Sequence, residues 1–263
     1  MSETPAPQRL DVDGGSISYQ RAGSGPALLF LHGGGGGGWL DAHAEWARDH
    51  DVVVPVHPGF GDSDELPELE AVDDLVYHYL DVIERLGLQR PALVGHSFGG
   101  WLAAELAVLA PDSFSALVLL SAVGLRIPQA PITDVFFAPP AEVPALLFAD
   151  PGAAPFGGGP PDVEAMLAIY RDMTALARYT WSPFMSNPKL HRRLHRVRAP
   201  TLVVWAEQDR VVPRAHAERY AELIGDARLA TVADCGHALH LERPHELATV
   251  VGEFLRERGG VAA

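Results

Sequence analysis

The sequence predicts an α/β fold with one long insertion. Short apolar runs alternate with helical periodicity along most of the chain. A Gly-His-Ser-Phe-Gly segment at 95–99 joins one of these apolar runs directly to a helical pattern. The length of 263 residues exceeds that of most single domains, but α/β folds of this size are often one core plus an insertion.

Each predicted element rests on its period and on the turn residues at its ends. The strands are expected near 8–12, 16–21, 27–31, 51–56, 91–95, 115–121, 201–205 and 228–232. The helices are expected near 71–87, 98–110, 214–224 and 244–257. No internal repeat is present in the sequence.

The alternation stops between about residues 123 and 198, where prolines and glycines interrupt short helical patterns. One helical pattern covers 163–178, and a glycine-proline run occupies 157–161. An insertion of this length between two core strands is too long for a simple loop, so it is expected to form a helical cap over a pocket. The predicted division is 1–122 for the first part of the core, 123–198 for the cap and 199–263 for the second part of the core.

Ser97 stands between Gly95 and Gly99, where a buried strand passes into a helix. Such a sharp turn strains the central residue and raises its side chain above the sheet, and a Cβ at either flanking position would collide with neighbouring backbone. The hydroxyl then lies at a helix N-terminus, where free amides favour developing negative charge. This segment predicts a serine nucleophile.

Two later strands are each followed by a candidate partner for the serine. Asp209 lies in the loop after the strand at 201–205, and His237 lies in the loop after the strand at 228–232. Glu207 is an alternative acid, although it stands nearer the end of its strand. His240 is an alternative base on the same loop as His237, and His96 adjoins the serine but is expected to form a wall of the site.

The chain resembles the α/β-hydrolase superfamily, in its Ser-Asp-His branch with a cap domain. The resemblance rests on the serine segment together with Leu-Phe-Leu-His-Gly-Gly at 29–34, Pro-Gly-Phe-Gly-Asp-Ser at 58–63 and Gly-His-Ala-Leu-His-Leu-Glu-Arg-Pro at 236–244. It implies a mostly parallel, eight-stranded sheet flanked by helices, with the active site at the carboxyl ends of the strands. It also implies Ser97 as nucleophile, His237 as general base and acid, and Asp209 as the group that orients the imidazole, with no metal or cofactor.

The resemblance also implies an oxyanion hole. His32 follows an apolar strand and opens a run of six glycines, 33–38, which ends at Trp39. The backbone amides of Gly34 and Phe98 are the expected donors. A phosphate-binding loop is disfavoured because the glycines are not followed by Lys and Ser or Thr.

Composition limits the partners of the protein. The formal charge of −14 disfavours nucleic acid and anionic membrane surfaces, and no run of about 18 apolar residues predicts a membrane span. The polar N-terminus lacks a signal-peptide pattern, which favours the cytoplasm. Cys235 is the single cysteine, so no intrachain disulfide is possible. The expected partner is a small-molecule substrate, and the sequence does not indicate an oligomeric state.

The substrate pocket is the part that the sequence defines least. Its expected lining comes from the glycine loop, the serine segment, the insertion and the residue after His237, namely His32, Gly33, Trp39, His96, Phe137, Phe148, Tyr170, Trp181 and Ala238. Arg171 and Arg178 are cations of the insertion that could meet a substrate carboxylate. His57 replaces an aspartate common in relatives, either as a structural residue or as a titratable group at the pocket rim.

The expected reaction is hydrolysis of a small or medium, largely apolar carboxylic ester or lactone through an acyl-enzyme. Ser97 argues against the dehalogenase and epoxide hydrolase branches, which use aspartate at this position. One alternative is cleavage of a carbon-carbon bond in vinylogous diketones, but such enzymes commonly carry tryptophan where this chain has Ala238. A second alternative is a ligand-binding protein that retains the fold and turns over slowly or not at all.

Overall fold

An eight-stranded sheet forms within residues 4–139, 141–154 and 162–259, which a computed structural model describes. The strands are β1 (Gln8–Val12), β2 (Gly15–Gly23), β3 (Ala27–Leu31), β4 (Asp51–Pro55), β5 (Ala92–His96), β6 (Ala116–Leu120), β7 (Thr201–Ala206) and β8 (Ala227–Val232). Their order in the sheet is β1-β2-β4-β3-β5-β6-β7-β8. Strand β2 pairs antiparallel with β1 and β4, and the pairs from β4 through β8 are parallel. The predicted fold class is confirmed.

The helices are α1 (Asp41–Trp46), α2 (Val72–Arg85), α3 (Phe98–Leu109), α4 (Val143–Leu147), α5 (Val163–Thr180), α6 (Arg214–Leu223), α7 (Leu239–Glu242) and α8 (Pro244–Gly259). Within the described parts of the chain, no helix is both long and apolar enough to cross a bilayer. The short helices α1, α4 and α7 were not predicted, because one or two turns carry too little periodicity to be recognised. The glycine-proline run at 157–161 and the first three residues of the polar N-terminus lie outside the described residues.

The sheet is covered on both faces, which explains why its strands read as continuous apolar runs. Alternate residues of β3 point to opposite sides, so Leu29 and Leu31 join one core while Leu28 and Phe30 join the other. Helices α2, α3 and α6 pack into the first core, and α1 and α8 pack into the second. Burial on both faces holds the strands in place, and with them the loops at their ends that carry the candidate site.

The segment between β6 and β7 contains α4, α5 and three short 3₁₀ turns at Pro151–Ala153, Leu190–Arg192 and Leu194–Arg196. Near its start and end, Gly124 and Ser186 form an isolated parallel bridge, so the chain leaves and rejoins the sheet at neighbouring places.

Candidate active site

Four loops at the carboxyl ends of parallel strands bring the predicted site residues together. His32 follows β3, Ser97 follows β5, Asp209 lies beyond β7 and His237 lies beyond β8. Residues far apart in sequence therefore meet beyond the carboxyl ends of the strands, as expected for an open α/β sheet.

Ser97 occupies a strained turn between β5 and α3. Its backbone has φ of 52° and ψ of −112°, and it is the N-cap residue of α3. A Cβ on Gly95 would collide with the carbonyl oxygen of Gly99, and a Cβ on Gly99 would collide with that of Leu31. The two glycines are therefore needed for the close approach of strand and helix that holds the serine in this conformation.

Ser97, His237 and Asp209 form one continuous chain of hydrogen bonds. The Oγ of Ser97 lies 2.9 Å from Nε2 of His237, and Nδ1 of His237 lies 2.9 Å from Oδ2 of Asp209. Because the carboxylate accepts, Nδ1 of His237 carries the proton and Nε2 is free to accept from the serine hydroxyl. The side chain of Asp209 is 0% exposed and that of His237 is 6% exposed, so both are shielded from water.

The other oxygen of Asp209 is also fixed. Its Oδ1 accepts the backbone amides of Val211 at 2.9 Å and Val212 at 2.8 Å. Burial by itself raises the pKa of Asp209, but the charge and hydrogen bond of His237 and the amide of Val212 together leave this pKa below its ordinary value. The aspartate is therefore ionised and fixed against the imidazole.

The alternative acid and base occupy other places. Glu207 is exposed and accepts the backbone amide of Asp234 at 3.2 Å. The ring of His240 packs against the ring of His96, with 4.3 Å between their centroids. Among these candidates the hydrogen-bonded contact with the serine side chain is made by His237, and the contact with His237 Nδ1 is made by Asp209.

The loop after β3 is held by a pair of buried histidines. The backbone amide of His57 donates to Nε2 of His32 at 2.9 Å, so Nδ1 of His32 carries the proton that it donates to the carbonyl of Gly33 at 2.7 Å. In return, Nε2 of His57 donates to the carbonyl of His32 at 2.9 Å, while the hydroxyl of Tyr79 donates to Nδ1 of His57. His57 is fully buried and braces the loop rather than lying at a pocket rim.

Both histidines of this pair are neutral. Burial lowers the pKa of His32 to about 4, with partial opposition from its bond to Gly33. Burial and the nearby His32 lower the pKa of His57 well below its ordinary value. The contribution of Tyr79 could not be predicted from the sequence, because Tyr79 occupies an apolar position of α2, where periodicity identifies it only as a core residue.

The amides of Gly34 and Phe98 lie on the two loops expected to form the oxyanion hole. In the described part of the chain, neither amide donates a hydrogen bond to another protein group. The amide of Phe98 begins α3, where helix geometry leaves it without an internal partner. Both are therefore free to bind an oxygen atom.

Helix α5 covers the glycine loop and the loop after β4. Leu176 lies against Gly34, and the hydroxyl of Tyr179 donates to the carbonyl of Pro58 at 3.2 Å. One oxygen of Asp172 accepts the amide of Gly61 at 3.0 Å, and Arg171 donates to the carbonyl of Gly61 at 2.9 Å. None of these α5 contacts was indicated by the sequence, because they join segments more than 100 residues apart.

Five of the predicted pocket residues fall into two groups. Phe148 and Ala238 are buried and pack in one small apolar cluster with Ala154 and Leu147. In contrast, Phe137, Tyr170 and Trp181 are more than half exposed, so they lie at the outer surface of the segment between β6 and β7. Their role as pocket residues stays a prediction.

The remaining predicted wall residues come from the loops around Ser97. Gly33 approaches His96 so closely that a Cβ on Gly33 would lie 2.7 Å from Nδ1 of that ring. Trp39 is half-buried: its ring contacts that of His43, with 5.5 Å between centroids, and packs against the core on the α1 and α8 side of the sheet.

The thiol of Cys235 has low reactivity in its buried position. Burial, followed by the charges of Glu242 and Glu246, raises the pKa of its thiol to about 12. The neutral thiol is therefore a weak nucleophile, consistent with a packing role. Among the residues that the structure describes, no group of three or more His, Cys, Asp or Glu side chains is arranged to bind a metal ion.

Comparison with known proteins identifies a family model and similar proteins that match most of the chain. A model of the alpha/beta hydrolase family matches residues 28–250. The chain is 29% identical over 276 residues to a 2-hydroxy-6-oxo-6-phenylhexa-2,4-dienoate hydrolase of Comamonas testosteroni, with 92% of each chain covered.

Solved structures also show the same fold. A meta-cleavage product hydrolase from Pseudomonas fluorescens IP01 superposes with a TM-score of 0.77 at 22% identity, over 95% of this chain and 97% of that chain. A thermophilic esterase from Thermogutta terrifontis superposes with a TM-score of 0.74 at 22% identity, over 95% of this chain and 98% of that chain.

Proposed function

The chain belongs to the alpha/beta hydrolase family and is a serine hydrolase, and we propose that it cleaves a small or medium, largely apolar carboxylic ester or lactone through an acyl-enzyme. The observation that carries the proposal is the hydrogen-bonded chain from Ser97 through His237 to Asp209. A serine at a helix N-terminus with a neutral imidazole on its hydroxyl is arranged for nucleophilic attack on a carbonyl carbon.

In the acylation step, the Oγ of Ser97 attacks the carbonyl carbon while Nε2 of His237 takes the hydroxyl proton. The carbonyl double bond opens to an oxyanion, and the imidazolium is stabilised by the ionised Asp209. When the tetrahedral intermediate collapses, His237 returns the proton to the leaving alkoxide. The products of this step are the alcohol, or the ring-opened chain of a lactone, and the acylated serine.

Water completes the reaction. His237 takes a proton from a water molecule that attacks the acyl carbon, and the proton passes to the Oγ of Ser97 as the acid is released. In both steps the negative oxygen is bound by the amides of Gly34 and Phe98, which have no other protein partner in the described chain. One such donor typically contributes about 100-fold to 1000-fold in rate.

The surroundings support an uncharged, apolar substrate. Phe148 and Ala238 place an apolar cluster directly beside the loop that carries His237. Of the two arginines expected as carboxylate ligands, Arg171 donates to the carbonyl of Gly61, and Arg178 lies 3.6 Å from the carboxylate of Glu65. Their present partners make both less suited to bind a substrate carboxylate.

Residues 123–198 form a cap in this proposal. Its support is the position of α5 over the glycine loop and the low exposure of Ser97, which is 9%. Because so little of the serine is open to solvent, the proposal includes a movement of α5 or of the segment around α4 that admits the substrate.

The test is hydrolysis of p-nitrophenyl esters from acetate to octanoate, together with fluorophosphonate labelling followed by intact mass. Ser97→Ala should lose turnover by roughly a million-fold and lose labelling, because the hydrogen-bonded residues act as a unit. Ser113→Ala is the matched control, since it removes an exposed hydroxyl beyond the C-terminal end of α3, whereas Ser97 stands at the N-terminal end of that helix. Turnover retained by Ser97→Ala would overturn the proposal.

A second candidate is cleavage of a carbon-carbon bond in a vinylogous diketone. It is favoured by the relative from Comamonas testosteroni, which is a dienoate hydrolase. Against it stands Ala238, at the position where such enzymes commonly carry tryptophan. Assay of a 2-hydroxy-6-oxo-dienoate beside the ester panel decides between them: faster turnover of the dienoate, lost in Ser97→Ala, would replace the ester proposal.

A further inference from the structure

His96 lies where three loops of the candidate site meet. It is the last residue of β5, directly before Ser97, and it is 5% exposed. Its Nε2 lies 2.9 Å from the backbone carbonyl of His237. Its Nδ1 faces Gly33, the residue before the proposed oxyanion donor Gly34.

The hydrogen bond to His237 fixes the protonation of the His96 ring. A carbonyl oxygen only accepts, so Nε2 of His96 carries the proton and Nδ1 is bare. Burial, and then the neighbouring His240 and His237, lower the pKa of His96 well below its ordinary value. The ring is a neutral donor that cannot take part in the proton transfers at Ser97, because its one proton is committed to a backbone carbonyl.

The His96 ring also contacts two other histidine rings and the glycine loop. The His240 ring packs at 4.3 Å and the His237 ring at 5.0 Å between centroids. On the glycine-loop side there is no room for even a methyl group on Gly33. These contacts restrict the orientation of the His96 ring and, with it, the geometry of its bond to His237.

We infer that His96 is a positioning residue, whose Nε2–H to carbonyl bond holds the His237 loop at the correct distance from the serine next to it in sequence. The inference rests on the proposed function. Ser97 and His96 are adjacent, so any shift of the His237 backbone relative to His96 is also a shift relative to Ser97. The ring also lies against Gly33, so one side chain contacts both the loop that carries the base and the loop that carries a proposed oxyanion donor.

Two amide substitutions test this idea. In His96→Gln, the side-chain amide nitrogen stands near the position of Nε2 and can donate to the carbonyl of His237. In His96→Asn, the amide nitrogen stands near the position of Nδ1. The asparagine side chain is too short for this nitrogen to reach the carbonyl of His237. Both variants are neutral and polar, so they differ mainly in the bond to His237.

The expected result is that His96→Asn lowers kcat by about 10-fold to 100-fold with KM changed less than about threefold, while His96→Gln keeps kcat within about fivefold of wild type. The pH profile of kcat should shift in His96→Asn and not in His96→Gln, because only His96→Asn disturbs the contact between His237 and Asp209. A role in packing alone would not separate the two variants in this way.

His78→Asn is the matched control. His78 is also a buried histidine, but it lies on α2 and its ring contacts Tyr79 rather than the His237 loop. Its loss should lower Tm without the change in the pH profile. Thermal unfolding of all four proteins checks that each assay uses folded enzyme.

Equal kcat values in His96→Asn and His96→Gln would overturn the inference, and so would a kcat within twofold of wild type in His96→Asn. These outcomes are distinct from failure of the proposed function. If Ser97→Ala abolishes turnover and labelling while the two His96 variants behave alike, the serine hydrolase stands and the positioning role does not.

Discussion

Leu176 of α5 packs directly on Gly34, so closely that a Cβ on Gly34 would collide with its side chain. Leu176 is 4% exposed. The contact joins a helix of the segment between β6 and β7 to the loop that supplies a proposed oxyanion donor. The position of α5 and the direction of the Gly34 amide are therefore coupled.

Gly34→Ala should lower kcat by about 10-fold to 100-fold, since the new methyl group must displace either α5 or the loop that carries the amide. Leu176→Ala in the same chain removes the colliding atoms. The double variant should therefore recover part of the lost kcat, giving a coupling that a double-mutant cycle measures. The measurement is kcat on the best p-nitrophenyl ester for wild type, both single variants and the double variant.

Gly35→Ala is the control for this cycle, because a Cβ at Gly35 meets no atom within 4 Å. It makes the same chemical change in the same loop and should leave kcat within about twofold of wild type. If Gly34→Ala and Gly35→Ala were equally impaired, flexibility of the loop rather than contact with Leu176 would be the cause.

Asp209→Asn should reduce kcat by about 10,000-fold while leaving the fold intact, because the amide favours the wrong tautomer of the imidazole. The paired variant is Glu207→Gln. Glu207 is the exposed alternative acid and should be replaceable with kcat within about twofold. Steady-state kinetics of the two variants, with circular dichroism as a check on folding, decides the assignment, and similar losses in both would contradict it.

Tyr79→Phe should lower the free energy of unfolding by about 1–3 kcal/mol. The hydroxyl of Tyr79 donates to Nδ1 of His57, and both side chains are fully buried, so its removal leaves a buried acceptor without a donor. Urea unfolding of this variant is compared with that of Tyr77→Phe. Tyr77 is 62% exposed on the same helix, and its loss should cost less than about 0.5 kcal/mol.

The fold could be predicted from the sequence because its strands are apolar runs bounded by turn residues. The predicted strand at 27–31 has the bounds of β3, and the predicted helix at 98–110 ends one residue beyond α3. Ser97 could be identified from the sequence around it, because Gly95 and Gly99 indicate the sharp turn in which it lies. Asp209 and His237 were placed by their positions after two later strands, which the parallel sheet brings to one edge.

The rest depended on contacts between distant segments, which no local pattern records. Leu176 and Asp172 have ordinary positions on an amphipathic helix, and nothing near them in sequence indicates that they meet the loops at Gly34 and Gly61. His57 was recognised as a departure from relatives, but its burial against His32 and Tyr79 follows from the packing of β3, β4 and α2. The lining of the pocket also depends on contacts between distant segments, so the role of the residues predicted to form it stays a prediction.

Several histidines are buried in the neutral form, and this makes stability depend on pH. Burial lowers the pKa of His43 to about 3 and that of His32 to about 4, from an unfolded value of 6.5. Below pH 6.5 the unfolded chain therefore binds protons that the folded chain does not. The free energy of unfolding falls as the pH drops from about 6.5 towards these folded values, by up to about 1.4 kcal/mol per pH unit for each such histidine.

His43→Asn should reduce the pH dependence of the unfolding free energy, because it removes about one proton from the difference in proton binding between the unfolded and folded states. The histidine is 0% exposed, and its Nδ1 accepts the amide of Leu40 at 3.1 Å, an interaction that the oxygen of asparagine can replace. Between pH 7.5 and pH 5 the variant should lose about 2 kcal/mol less unfolding free energy than wild type. Urea unfolding at the two pH values gives both differences. His195→Asn, which removes an exposed histidine, is the control. An unchanged loss in His43→Asn would mean that His43 is protonated to the same extent in both states.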